Sequence, residues 1–363
     1  MRCCDVCDLH ERIPGEKIIH ESMKAPFHVL FLIVLFVFSA ELPATPFCFQ
    51  SNDRVVLVGN TVIERAQRFG HLETLLNLSA GVEAKGVTFR NVGWSGDSVF
   101  GDARSYFGAP QEGRDRLQRV VKELRPTVLM VCYGTNAAMT PTQGWTDDPA
   151  GSARSRAGVD ESLKLFVENY GKLLDLVVPG AGSGLREVVL ISPPPLENLG
   201  QPLPDQSLNN TRLAVYRDAI RDLAASRGHR FLDLFGQMGG NKLKTGEKSP
   251  GPLTENGVHY GEAGYVVIGE ALVSGLGLKL PRNLSANDPA VVALRASVLE
   301  KNRLFFHRWR PANETYLFLF RKHEQGNNAK EIPMFDPLIE QEEQKVERLR
   351  AVVFNKLAGE GGP

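Results

Sequence analysis

Net charge is the first thing this sequence lacks: 42 Lys and Arg residues are matched by 42 Asp and Glu over 363 residues. That balance points to neither a basic nucleic-acid surface nor an acidic solvating tail. Cysteine is scarce, five in all, and only Cys48 and Cys132 lie beyond Met23. Cys132 falls in an apolar run that reads as a buried strand, so no disulfide framework is expected. Cys4 and Cys7 have the CxxC spacing of a zinc half-site or redox pair, but no second half follows and no βαβ pattern surrounds them. Phosphate-loop patterns are missing as well. Gly93-Trp94-Ser95-Gly96 lacks the GxGxxG spacing and no GKS or GKT occurs, which excludes a nucleotide reading. No metal or organic cofactor is implied.

Long apolar runs are also few. Phe27 to Ala40 is nearly all apolar but falls short of the ~20 residues of a spanning helix. It fits the h-region of a secretory signal, with Met23-Lys24 as a compact n-region; an uncleaved membrane anchor is the competing reading. Either way the globular part is expected to be exported, secreted or periplasmic. Residues 1–22 suit no signal peptide, which makes Met23 the expected start. The organisation that follows is a leader over 1–50 (signal or anchor, Met23–Ala44), a main domain over 51–280 and an extension over 281–363.

What is present is an alternation of strands and helices. Arg54–Val58, Val87–Val92, Thr127 onward, Glu187–Ser192 and Arg230–Leu234 read as strands. Val62–Leu78, Arg114–Leu124, Asp160–Val178, Asn209–Arg227 and a last helix ending near Leu276 lie between or after them. Five such repeats predict an α/β fold with a parallel sheet and helices on both faces. Met139–Gly158, rich in Pro, Gly, Asp and Ser, reads as a long functional loop.

Thr127 to Asn136 carries the most information. It is apolar without alternation, as a strand buried on both faces should be, and breaks at Gly134 to present Thr135 and Asn136 at its carboxyl end. An Asn there is either an oxyanion-hole amide or a turn and capping residue. His259, in a glycine-bracketed loop before a helix, is either a general base or a surface histidine.

Taken in order, Gly59-Asn60-Thr61 after strand one, Gly96 after strand two, Gly134-Thr135-Asn136 after strand three and Asn256-Gly257-Val258-His259 near the end resemble the SGNH/GDSL hydrolase superfamily. The resemblance spans roughly Asn52 to Leu280. It implies a flavodoxin-like, three-layer α/β/α sandwich with a central five-stranded parallel sheet. It also implies an oxyanion hole from the Thr61 and Gly96 backbone and the Asn136 amide, with His259 as base.

Two positions depart from that pattern. The nucleophile position holds Thr61 instead of Ser, whose methyl restricts χ1 and crowds the intermediate. The acid position holds Asn256 instead of Asp; its amide oxygen is expected to accept from the His259 ring, without the charge that stabilises an imidazolium. Glu255 is a candidate source of that charge. Gly96-Asp97-Ser98 spells the nucleophile motif literally but follows strand two, so Ser98 reads as loop support and Asp97 as a residue that orders the loop through side chain-to-backbone bonds.

In the extension, Lys301 to Arg321 mixes Phe305, Phe306, Trp309, Tyr316, Phe318 and Phe320 with arginines. Such a strip is expected to dock on the domain or a partner, a folded arm being simpler than a nucleic-acid or cation–π ligand site. The charged helix from Leu338 to about Leu357 has sparse apolar positions and is expected to bridge solvent or pack loosely. The expected activity is hydrolysis of an ester, an O-acyl carbohydrate or a short-chain ester. The alternative is a catalytically decayed module that binds a carbohydrate or acyl ligand.

Overall fold

The structure, a computed structural model, describes residues 46–106, 108–139, 159–243 and 251–360. Residues 1–45 of the expected leader, with Cys4 and Cys7, and residues 140–158 of the expected long loop lie outside them. The first strand, β1 (Arg54–Gly59), leads into α1 (Thr61–Phe69) and α2 (His71–Ser79). The periodicity over 62–78 predicts one helix, and the chain makes two. Gly70 takes φ +71, in the left-handed region, and donates its N–H to the Ala66 carbonyl, which closes α1.

The chain continues through β2 (Thr88–Asn91), α3 (Pro110–Leu124), β3 (Val128–Cys132), α4 (Thr135–Met139), α5 (Val159–Gly180) and β4 (Glu187–Ile191). It then forms α6 (Ser207–Ser226), β5 (Arg230–Leu232), α7 (Leu234–Gln237) and α8 (Glu262–Gly275). All strands pair in parallel in the order β2-β1-β3-β4-β5. This is the flavodoxin-like order, and its topological switch point lies between β1 and β3.

Alternation hidden in the apolar runs sorts the two faces. Val55, Leu57, Met130 and Val189 pack with Leu72, Leu76, Ile268 and Leu272 of α2 and α8. Val56, Val58, Leu129 and Val131 pack with Leu117, Tyr170, Leu213 and Ile220 of α3, α5 and α6. Burial on both sides is what a continuous run of Val and Leu encodes.

The extension forms α9 (Pro289–Trp309), α10 (Glu314–Leu317), α11 (Lys322–Gln325) and α12 (Phe335–Glu360). Asp288 caps α9 by accepting the Ala290 N–H at 2.8 Å. The loose packing expected of α12 is corrected by its spacing. Ile339, Val346 and Val353 recur every seven residues and are buried, facing Val291, Leu294, Val298 and Phe305 at alternating heptad steps on α9. Contacts from Asp288 to Lys356, Ser297 to Glu342 and Arg308 to Asp336 set the two helices antiparallel. The aromatic strip docks only in part: Phe305 is buried, whereas Phe318 and Phe320 are 46% and 72% exposed.

One seam position is a lysine. Lys301 is 1% exposed and donates to Glu73 (2.8 Å), to the Phe89 carbonyl on the outer edge of β2 (2.9 Å) and to Asn302 (2.8 Å). A sheet edge is thereby closed by a helix and a cation. Removing the cation leaves a buried carboxylate, so Lys301→Ala should lower stability by about 3–5 kcal/mol in urea titrations, and Lys301→Met with Glu73→Leu should recover most of that loss.

His71, at the joint between α2 and α9, lies near Glu262 (3.2 Å) and Arg295 (3.0 Å). Burial, with Arg295 beside it, holds the ring below its ordinary value of 6.5 against the pull of Glu262. The unfolded chain therefore binds the proton first as pH falls. His71 should cost stability only below about pH 6.5, so melting temperatures measured across that boundary should show a smaller acid-side decline in His71→Gln.

Candidate active site

Thr61, Asn136 and His259 line one cleft of about 40 Å3, together with Asn60, Arg65, Thr135, Val258 and Tyr260. Thr61 opens α1 directly after β1, and Asn136 lies in α4 directly after β3, so the cleft sits at the switch point of the sheet. Asn60 caps α1: its side chain takes the Val62 N–H at 3.3 Å, and its carbonyl takes those of Ile63 and Glu64. The Thr61 N–H is thus the first donor of a helix N-terminus, where partial positive charge collects.

The loop after β2 closes over this helix. A Cβ at Gly93 would lie 2.3 Å from the Glu64 nitrogen, so only glycine permits the approach. Gly96, at φ +80, donates its N–H to the Thr61 hydroxyl at 3.2 Å. The Asn136 amide nitrogen lies 3.3 Å from both the Gly96 and Asp97 carbonyls. Carbonyls only accept, which fixes the orientation of that amide.

Asp97 orders the loop by a different route from the expected backbone bonds. It is 1% exposed and accepts from Arg104 Nε and the Tyr133 hydroxyl, both at 2.6 Å. Side-chain partners win here because Arg104, itself fully buried, also reaches the carbonyls of Val92 (2.9 Å) and Gly59 (3.4 Å) and so bridges the strand ends. Burial pushes the Asp97 carboxyl up while Arg104 pulls it down. Ser98 donates to Asp102 at 2.5 Å and accepts the Phe100 N–H at 3.1 Å, a local support with no contact to His259 among its hydrogen bonds.

The His259 loop is held from three sides. Glu197 accepts the N–H groups of Leu253 (3.0 Å) and Thr254 (2.7 Å) and the Thr254 hydroxyl (2.7 Å). Tyr260 donates its hydroxyl to the Pro195 carbonyl. Arg65, one turn beyond Thr61 on α1, reaches Glu255 at 2.5 Å and the Tyr260 carbonyl at 3.4 Å. Glu255 is thus committed to Arg65 and does not stand in for the missing acid.

Asn256 corrects the expected hydrogen bond to the base. Its amide oxygen accepts the backbone N–H groups of Val258 (3.1 Å) and His259 (2.9 Å). The amide nitrogen therefore faces His259 Nδ1 at 3.3 Å. A donor on Nδ1 makes that atom the acceptor, and the ring proton belongs on Nε2. A carboxylate in the same place would impose the opposite tautomer.

Among the described residues no cysteine lines the cleft, and burial pushes the Cys132 thiol up to about 12. A roomier cavity of about 310 Å3 between α2, β2 and α12 is lined by Glu73, Phe89, Lys301 and Glu347. Its polar floor is the Lys301–Glu73 pair, and it holds no nucleophile with a base. Among the described residues no cluster of His, Cys, Asp and Glu is arranged to hold a metal, and no helix is long and apolar enough to cross a membrane.

Arg65, Arg104 and Glu197 were not singled out by the sequence. Only Arg65 left a signal, its i+4 spacing from Thr61 on one helix face.

The family model of the GDSL-like lipase/acylhydrolase family matches residues 63–267, just over half of the chain; it begins past Thr61 and includes Gly96, Asn136, Asn256 and His259. No curated protein matches by sequence. Among solved structures, a gut microbial diltiazem-metabolizing enzyme is similar over 83% of this chain and 96% of its own, at 10% identity and TM-score 0.56. An acetylxylan esterase from Geobacillus stearothermophilus is similar over 64% of this chain and 98% of its own, at 16% identity and TM-score 0.45. An alpha/beta hydrolase from the metagenome of Lake Arreo, Spain, is similar over 63% and 97%, at 19% identity and TM-score 0.43. At such identities the likeness concerns the fold.

The tautomer is open to measurement. In protein labelled with 15N-histidine, His259 should show a protonated Nε2 and a bare Nδ1 at neutral pH, and Asn256→Asp should move the proton to Nδ1. A bare Nε2 with the proton on Nδ1 in the native protein would contradict the amide orientation.

Proposed function

The chain belongs to the GDSL-like lipase/acylhydrolase family, and on that premise we propose that it is an ester hydrolase for small O-acyl groups, carried on a carbohydrate or a short-chain alcohol. The observation that supports this most directly is the convergence of Thr61, Asn136 and His259 in one cleft.

In this reading the Thr61 hydroxyl oxygen attacks the ester carbonyl carbon as its proton passes to His259 Nε2. The carbonyl oxygen becomes an oxyanion facing the Thr61 and Gly96 N–H groups and the Asn136 amide. Collapse expels the alcohol, which takes the proton from His259 and leaves an acyl-Thr61 ester. Water then attacks with His259 as base, which releases the acid and restores Thr61.

His259 accepts that first proton only with Nε2 bare. The Asn256 amide holds the other tautomer, so turnover proceeds through a minor population or after an amide turn that breaks two backbone bonds. In a serine protease the acid-to-amide change lowers turnover by about 10⁴ for the same reason. We therefore propose a slow hydrolase. The apolar run Phe27–Ala40 supports placing it outside the cytoplasm, as an exported or anchored protein.

The same amide gives a second reading its one specific support. With Nε2–H, Gly96 N–H and the Asn136 amide all offered as donors, the cleft suits a bound acyl or carbohydrate oxygen that is never cleaved.

Activity on acetyl and short-acyl esters should be lost in Thr61→Ala and His259→Ala and stay within a few-fold of native in Ser98→Ala. Asn256→Asp should raise kcat by about 10² or more, as the tautomer argument requires. An Asn256→Asp, Thr61→Ser protein that folds yet stays inert on a broad ester panel would establish the binding reading instead.

A further inference from the structure

The C-terminal extension lies outside the matched family segment, yet its first turn after α9 touches the oxyanion loop. Arg310 stacks on the Trp94 ring, its guanidinium carbon 3.5 Å from the ring centre. Its NH1 lies 3.3 Å from Glu64 Oε1. The other oxygen of that carboxylate accepts the Ser95 N–H. Ser95 immediately precedes Gly96, whose N–H lies on the Thr61 hydroxyl.

From this chain of contacts we propose that Arg310 is a positioning residue for the Gly96 oxyanion donor, acting through Glu64 and Trp94. The proposal rests on the hydrolase reading above.

Glu64 is 6% exposed and stands three residues beyond Thr61, on the same face of α1. Without Arg310 that buried carboxylate loses its charge partner, and a turn of the side chain toward solvent releases the Ser95 N–H. Arg310 is the cation at its second oxygen. Among the described residues the tip of the loop is sparsely packed: a Cβ built on Gly96 would meet only Ala103 Cβ, at 4.0 Å. Its position is set by hydrogen bonds: Trp94 N–H to the Gly59 carbonyl at 3.0 Å, Ser95 N–H to Glu64, Gly96 N–H to the Thr61 hydroxyl, Asn136 to the Gly96 carbonyl, and Arg104 and Tyr133 to the neighbouring Asp97 carboxylate.

Trp94 supplies the lateral restraint. It is 4% exposed and held between Trp309 (5.9 Å) and Tyr106 (5.7 Å), both edge-on. Glu314 on α10 accepts from both Tyr106 and Arg116, which ties this bracket to the extension as well. A stacked arginine is not replaceable by lysine, whose ammonium pairs with Glu64 but gives the indole no planar partner.

The test uses the full-length protein with Arg310→Gln, Arg310→Lys and Glu64→Ala. It reads kcat and KM on p-nitrophenyl acetate together with amide exchange at Ser95 and Gly96. In Arg310→Gln, kcat should fall about 10- to 100-fold with KM within about twofold, since one oxyanion donor is worth up to 10²–10³. Ser95 and Gly96 exchange should speed up while amides of β1 and β3 keep their native rates. Arg310→Lys should fall between, and Glu64→Ala combined with Arg310→Gln should lose no more than either alone. Faster loop exchange with native kcat, or lost kcat with native loop exchange, overturns the proposal. If the native protein turns over no ester, the hydrolase reading fails by itself. The exchange rates then decide the contact alone, and unchanged Ser95 and Gly96 rates in Arg310→Gln remove it.

Discussion

A buried ion pair sits where the three functional strands end. Arg104 and Asp97, both enclosed, join through Nε at 2.6 Å, and the Tyr133 hydroxyl, just past the end of β3, donates to the same Asp97 oxygen. The same guanidinium reaches Gly59 at the end of β1 and Val92 just past β2. Thr61, Gly96 and Asn136 follow these three strand ends. In a region of low dielectric, a pair with several satisfied hydrogen bonds holds geometry more strictly than apolar packing, at the cost of desolvating two charges. The placement of these three residues rests on this strap.

Above the strap, the site is closed upon itself. Gly96 donates to the Thr61 hydroxyl, Asn136 donates to the loop beside it, and Asn256 donates to the His259 ring. Long contacts of 3.2 to 3.3 Å are those a ligand oxygen replaces easily. The substitution of Asn for Asp changes more than charge. It reverses the direction of one hydrogen bond, because the backbone N–H groups of Val258 and His259 already hold the oxygen.

The fold was legible because strands buried on both faces leave continuous Val and Leu runs, and because loops at strand ends carry their glycines in a recognisable order. Thr61, Asn136 and His259 were legible as positions for the same reason. The Asn256 orientation was not, since it is decided by which backbone groups reach the amide first. Arg104, Glu197 and Arg310 act across long sequence separations, and a single charged residue on a helix or loop carries no periodic signal. The split at Gly70 was missed because an apolar stripe continues through it, and a lone glycine inside a helical pattern is a weak stop. The seam of α12 escaped because three buried positions in a helix of mostly charged residues register only when the partner helix is known.

The closure of the β2 edge bears on how the protein is made. Lys301 and Glu343 meet Phe89 and Arg90 across 212 and 253 residues of chain, and Arg350 meets Ala84 across 266. At ~5–20 residues per second, a ribosome needs on the order of 10–50 s to pass from β2 to α12. During that interval a nascent chain carries an uncapped strand, open to pairing with another copy. The helices α9 and α12 thus act as a late seal during biosynthesis, and a message truncated after α8 yields a protein with its site residues present and its sheet unguarded.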